Sequence, residues 1–158
     1  MSAAPGIRPR GFTAWWVGYA GIACLVGALL HVAIAIGGPD WYAFFGAPKG
    51  LVAMARAGNL RAPLSCIAIA AILGVFAAYA FSAIGVIRRL PLLHAGLALI
   101  GAILILRGLL FVPILLWRPY LLAGICDCRV IDAFIVVSSL ACLAVGAGFA
   151  VGVRELTR

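Results

Sequence analysis

A chain of 158 residues that is 66% hydrophobic and only 10% charged departs from an ordinary soluble domain, in which about a quarter of the residues are charged. A soluble fold of this length cannot hide so much apolar surface, so lipid has to cover part of it, and there is room for a single membrane domain (1–158) without a separate soluble one. The net charge of +8 does not mark a nucleic-acid binder, because the basic residues are scattered at the ends of hydrophobic runs and form no single patch.

Four runs approach the about twenty residues that a helix needs to cross a bilayer. The first, roughly Trp15 to Gly37, follows Arg8 and Arg10. That order imitates a signal peptide, but the run is longer than an h-region and three more follow, so a retained helix is expected. No lipidation motif appears. Ala20, Cys24, Gly27, Ala28, His31 and Ala35 share one of its faces, and small faces allow helices to pack closely in lipid. The loop that follows, 38–63, begins GPDWYAFFGAPKG. Its Trp41, Tyr42, Phe44 and Phe45 read as an interfacial aromatic belt. Leu51, Val52, Met54 and Ala55 then predict a short interfacial helix, stopped by Gly58 and Asn59. That helix either lies flat at the interface or forms a lid over a cavity.

The second run, Leu64 to Ile87, carries Ala71, Gly74, Ala78, Ser82 and Gly85 as its small face. A two-residue turn with Arg88 and Arg89 leads to the third run, Leu92 to Trp117. This one is lined by Leu and Ile, with Gly101 and Gly108 seven residues apart, and Pro113 predicts a kink. The fourth, Ala133 to Val153, presents Ala141, Ala144, Gly148 and Gly152. The expected architecture is all-α: an antiparallel bundle of four transmembrane helices with one short interfacial helix. Arg8, Arg10, Arg88, Arg89, Arg154 and Arg158 fall on one side; Lys49, Arg56, Arg61, Arg118 and Arg129 fall on the other. The paired arginines of the tight turn decide this small difference, and both termini are expected in the cytoplasm, with the chain in a bacterial inner membrane.

The third run contains LILRGLLF, 104–111. Its centre lies near Ile105, so Arg107 is within one turn of the midplane, where an arginine costs about 2.5–3.5 kcal/mol on insertion scales. A protein partner or a water-filled cavity lowers that cost. The acids Asp40, Asp127, Asp132 and Glu155 all lie outside the span cores. His31, in the outer half of the first span, is a neutral partner for a raised guanidinium. Tyr19 and Tyr79 offer hydroxyls or ring faces. Three readings stay open. Arg107 ties helices together through carbonyls and a distant acid, or it contacts another subunit, or it lines an intrabundle pocket that holds a lipid phosphate or a carboxylate. In the pocket reading the ligand-binding residues are Arg107, His31, Tyr19 and Tyr79, with Asp40, Trp41 and Tyr42 at the loop.

Cys24 and Cys142 read as small packing residues inside spans. Cys66, Cys126 and Cys128 fall on the outer side, where thiols meet an oxidising compartment. A bridge from Cys66 to Cys126 or Cys128 is one expectation. Redox cycling is another, although CDC, 126–128, is not the Cys-x-x-Cys of four-helix thiol oxidoreductases.

LLHVAIAIGGPDWYAFFGAP, followed two spans later by LILRGLL, resembles a group of small four-helix bacterial integral membrane proteins. These have a histidine near the outer end of helix one, Gly-Gly at its exit and Leu-Arg-Gly in helix three. Here those residues are His31, Gly37, Gly38, Leu106, Arg107 and Gly108. The resemblance covers the first three spans. It implies the four-helix fold and a joint site at His31 and Arg107, and it implies no reaction. With no nucleotide loop, catalytic triad or paired carboxylate, no catalytic residue, metal or cofactor is expected. Three functions compete: binding of an anionic lipid or small molecule, assembly into a larger membrane complex or homo-oligomer, and thiol–disulfide exchange at Cys66, Cys126 and Cys128. Membrane lipid is a partner in each, and nucleic acid in none.

Overall fold

The computed structural model describes residues 11–117 and 133–157. Six helices and no strand occur among them: α1 (Phe12–Gly37), α2 (Pro39–Phe44), α3 (Lys49–Arg56), α4 (Arg61–Ile84), α5 (Leu93–Trp117) and α6 (Ala133–Leu156). The four long helices are each long and apolar enough to cross a membrane. They form the expected antiparallel bundle, and the chain is an integral membrane protein.

The breaks between helices are set by glycine more than by hydropathy. Gly38 adopts φ 78. Its N–H donates to the Ile34 carbonyl at 3.3 Å, and its own carbonyl accepts from the N–H groups of Trp41 and Tyr42 at 3.0 and 3.2 Å. Pro39 occupies the first turn of α2, where its missing donor is no loss. Gly37 serves by lacking a side chain. The Trp41 ring lies against it, and a Cβ there would run into the indole. The loop therefore holds two short helices where one was expected.

The arginine-bearing turn is also longer than expected. α4 ends at Ile84, because Gly85 takes the left-handed conformation, donating to the Ser82 carbonyl at 3.2 Å while Val86 donates to Phe81 at 2.9 Å. This Schellman closure satisfies the last carbonyls although Val86 and Ile87 continue the apolar run. The connection is residues 85–92. Buried Ser82 fastens it: its hydroxyl donates to the Arg88 carbonyl at 3.1 Å and accepts from the Leu90 N–H at 2.9 Å. A second Schellman closure ends α3, with Gly58 donating to Ala55 at 3.0 Å and Asn59 to Met54 at 2.9 Å. The Asn59 side chain then accepts the Arg61 N–H at 3.0 Å and opens α4. The stop expected at Gly58 and Asn59 is found.

α1 packs against α4 on one side and α6 on the other, α6 packs against α5, and α4 and α5 touch only lightly. Glycine permits the close approaches. A Cβ on Gly21 would lie 2.9 Å from that of Ala80, one on Gly148 would lie 2.9 Å from that of Ala20, and one on Gly146 would lie 3.0 Å from the backbone nitrogen of Ile105. The small face expected on α1 is the one used, with Ala20, Cys24 and Ala28 buried. On α4 the face is largely rotated: of the expected residues Ser82 is buried, but Ala71 is exposed and Gly74 meets open space, while Ala70, Ala77, Ala80 and Ala83 are buried. On α6, Gly148 and Gly152 are buried, but Ala141 and Ala144 are exposed. α5, expected to lack a small face, packs on α6 through Gly101 and Gly108. Helices apolar on all sides carry small residues on several faces, so composition does not select among them.

Candidate functional site

Arg107 does not point into the bundle. Its helix packs through Gly101, Leu104 and Gly108, which are buried, whereas Ile103, Leu106, Arg107 and Leu110 are exposed. Seven residues beyond buried Ile100, position 107 keeps within about 20° of its line, at the edge of the contact face, and its side chain is nevertheless exposed. The expectation of an arginine in an intrabundle pocket is corrected on this point. Arg107 takes part in an interaction within the chain and is nonetheless exposed. It lies ten residues before Trp117, about 15 Å along the axis.

His31 is half-buried on α1. Its Nδ1–H donates to the Gly27 carbonyl at 2.8 Å within the same helix. The helix register locates it relative to Arg107. Gly108 meets Leu143 and Gly148 meets Ala20, which puts Arg107 near the level of Leu25. His31 is six residues further on, about 9 Å closer to the loop. α1 and α5 stand diagonally across the bundle. The structure does not bring this pair together.

Tyr19 and Tyr79 belong to the opposite end. Tyr19 is exposed and stacks on Trp15 with centroids 6.3 Å apart. Tyr79 covers Gly96 and donates to the Pro91 carbonyl at 3.4 Å. The seven expected ligand-binding residues thus fall at three or more depths and do not make one pocket.

The loop end brings two of the expected residues, Asp40 and Trp41, together. Asp40, Trp41, Phe44 and Phe45 line an open groove of about 410 Å³. In a helix these positions lie on adjacent rows, and Tyr42 leaves from the other side. Tyr42 is therefore not part of the aromatic belt: it is 1% exposed, among Ile34, Ala62 and Cys66. The apolar side chains of α3, Leu51, Val52, Met54 and Ala55, pack on this cluster and so face the bundle. The Tyr42 hydroxyl is buried without a hydrogen-bond partner. Burial first, and the neighbouring Cys66 thiol second, push the phenol up to about 12. Cys66 is a free, buried thiol. Cys126 and Cys128, with the rest of 118–132, lie outside the described residues. Among the described residues no group of three His, Cys, Asp or Glu side chains could hold a metal.

Phe44 and Phe45 join the site, although the sequence pattern places them only in the aromatic belt. The signal that points to them is the Gly38–Pro39 helix start followed by DWYAFF. One short helix then gathers Asp40 with three rings.

No family model, no curated protein and no solved structure matches the chain. The class defined by the fold is a four-span integral membrane protein.

Proposed function

We propose that this protein binds an anionic group at Arg107, presented from the outer flank of α5 instead of from a pocket within the bundle. The observation that supports this reading is the position of Arg107, which has an interaction within its own chain and is still exposed beside Ile103, Leu106 and Leu110 on a membrane-spanning helix. A charge on such a flank is costly in hydrocarbon. A phosphate or carboxylate that accepts a forked pair of hydrogen bonds lowers the cost and becomes firmly held. A lipid phosphate, a small acid or a carboxylate on a partner helix has the required chemistry.

Depth gives a second reading its support. The hydrocarbon core is about 30 Å thick, and Arg107 lies near its middle, so a lipid phosphate starts roughly 12 Å above it. An arginine stem spans only part of that distance, and the bilayer has to thin for the rest. A partner subunit brings an acid to this depth at no such cost. On that reading the chain is an assembly subunit of a larger membrane complex. The orientation with both termini and the 85–92 turn in the cytoplasm of a bacterial inner membrane rests on the paired Arg88 and Arg89.

Native mass spectrometry after extraction in a mild detergent, with wild type beside Arg107→Leu, tests the proposal. Wild type is expected to retain an anionic lipid or small acid that the folded variant loses. A protein subunit lost in the same way selects the assembly reading. Identical spectra overturn both.

A further inference from the structure

The groove at the loop end has the chemistry of a cation site, independent of Arg107. Three of its four lining residues are aromatic. Phe44 and Phe45 meet edge to face, with centroids 5.0 Å apart and planes at 85°. Trp41 continues the wall 5.9 Å from Phe45, tilted by 39°. Rings set at a right angle can offer more than one π face to a guest in the corner between them. The fourth lining residue is Asp40, which is exposed. Apart from Glu155, it is the only acid among the described residues. Lys49, Arg56 and Arg61 stand in the same loop region, but none of them lines the groove.

A ring face attracts a cation within about 6 Å of its centroid, and tryptophan does so best. Alkylated ammonium suits such a corner better than a metal ion or a bare ammonium. Its methyl groups fill apolar space, it needs no hydrogen-bond partner, and its charge is diffuse enough to leave water cheaply. The lining is nearly all apolar, with an acidic residue at its edge, and an alkylated cation suits that balance. The wall itself is built to stay in place. The Trp41 ring lies on Gly37, and Phe45 packs on the cluster that contains Ile34 and Cys66.

We infer that Asp40, Trp41, Phe44 and Phe45 form an aromatic cage for an alkylated ammonium group. The guest is either a lipid headgroup or a free quaternary amine. The groove lies at the exit of α1, which at 26 residues is about 39 Å long. It therefore opens at headgroup level, within reach of both sources.

The test uses the full chain in a maltoside detergent, whose headgroup is uncharged. Choline is titrated against it by saturation-transfer NMR on the methyl protons. The control is 3,3-dimethylbutan-1-ol, which has the same shape without the charge. Choline is expected to bind and the neutral isostere to bind at least several-fold more weakly. Asp40→Asn and Phe44→Ala are each expected to weaken choline by roughly two- to fivefold, the scale of one exposed cation–π contact. Phe44 is 82% exposed and Asn is isosteric with Asp, so both variants retain the fold, which the unfolding temperature checks. Nanodiscs of mixed phosphatidylcholine and phosphatidylglycerol separate the two sources. Phosphatidylcholine carried by wild type and lost in the variants identifies a lipid guest; choline binding without that preference identifies a free amine. Equal binding of choline and the isostere, or choline binding unchanged in both variants, overturns the cage.

Discussion

At the scale of single residues, Tyr42 is where local chemistry makes its sharpest claim. A buried hydroxyl without a partner costs about 1–3 kcal/mol of desolvation. Tyr42→Phe removes that group and leaves the ring, so it is expected to raise stability by about 1 kcal/mol, measured as unfolding temperature in detergent. A lower temperature would reveal a hydrogen bond to the hydroxyl. The same residue gives a pH dependence. Its phenol ionises near 12 in the folded protein against an ordinary value of 10.0, so the folded state holds this proton more tightly. The resulting stability is complete below pH 10 and falls as the pH rises toward 12. Wild type should lose stability across that interval, and Tyr42→Phe should remove this part of the loss. Some of this is legible in the sequence and some is not. Asp40 and Trp41 can be singled out because a lone acid beside aromatics is conspicuous in an apolar chain. Tyr42 is misplaced by the pattern because a run of four aromatics looks the same whether each ring faces lipid or the core. Only the start of α2 at Pro39 fixes which way each one turns.

At the scale of elements, helices are legible and their contact faces are not. Long apolar runs have one stable form in lipid, because each backbone group must be satisfied within the segment. Helix ends are less legible, because a left-handed glycine such as Gly85 ends α4 inside an apolar run. Faces are least legible, since α4, α5 and α6 are apolar all round. Glycine contacts decide the faces, and they can be tested in pairs. At Gly146 an added Cβ would press on the α5 backbone at Ile105, whereas at Gly74 it would meet open space. Gly146→Ala is therefore expected to destabilise by about 1–3 kcal/mol through overpacking. Gly74→Ala should be neutral, or stabilising by about 0.5–1 kcal/mol through helix propensity. Thermal unfolding of the two variants side by side checks the assignment: a large loss at Gly74→Ala would mean that α4 is rotated about its axis, and no loss at Gly146→Ala would mean that α5 and α6 do not meet there.

At the scale of the whole molecule, the order α4–α1–α6–α5 explains why the expected composite site does not form. The sequence marks His31 and Arg107 as unusual, but it cannot say that their helices stand on a diagonal or that their depths differ by more than a turn. Tyr19 and Tyr79 show the same limit, since both lie near the far end of the bundle from Asp40. What emerges among the described residues is a tightly packed α1–α4 and α5–α6 frame with two polar features far apart. One is an aromatic groove at the loop end, and the other is a guanidinium on the outer flank of α5. That flank position is the central claim, and spin-label scanning of residues 99–110 in liposomes tests it most directly. Collision with dissolved oxygen should peak at Leu99, Ile103, Leu106, Arg107 and Leu110 and fall at Ile100, Leu104 and Gly108. Arg107 grouped with the protected positions would return its side chain to the bundle interior and contradict the flank assignment.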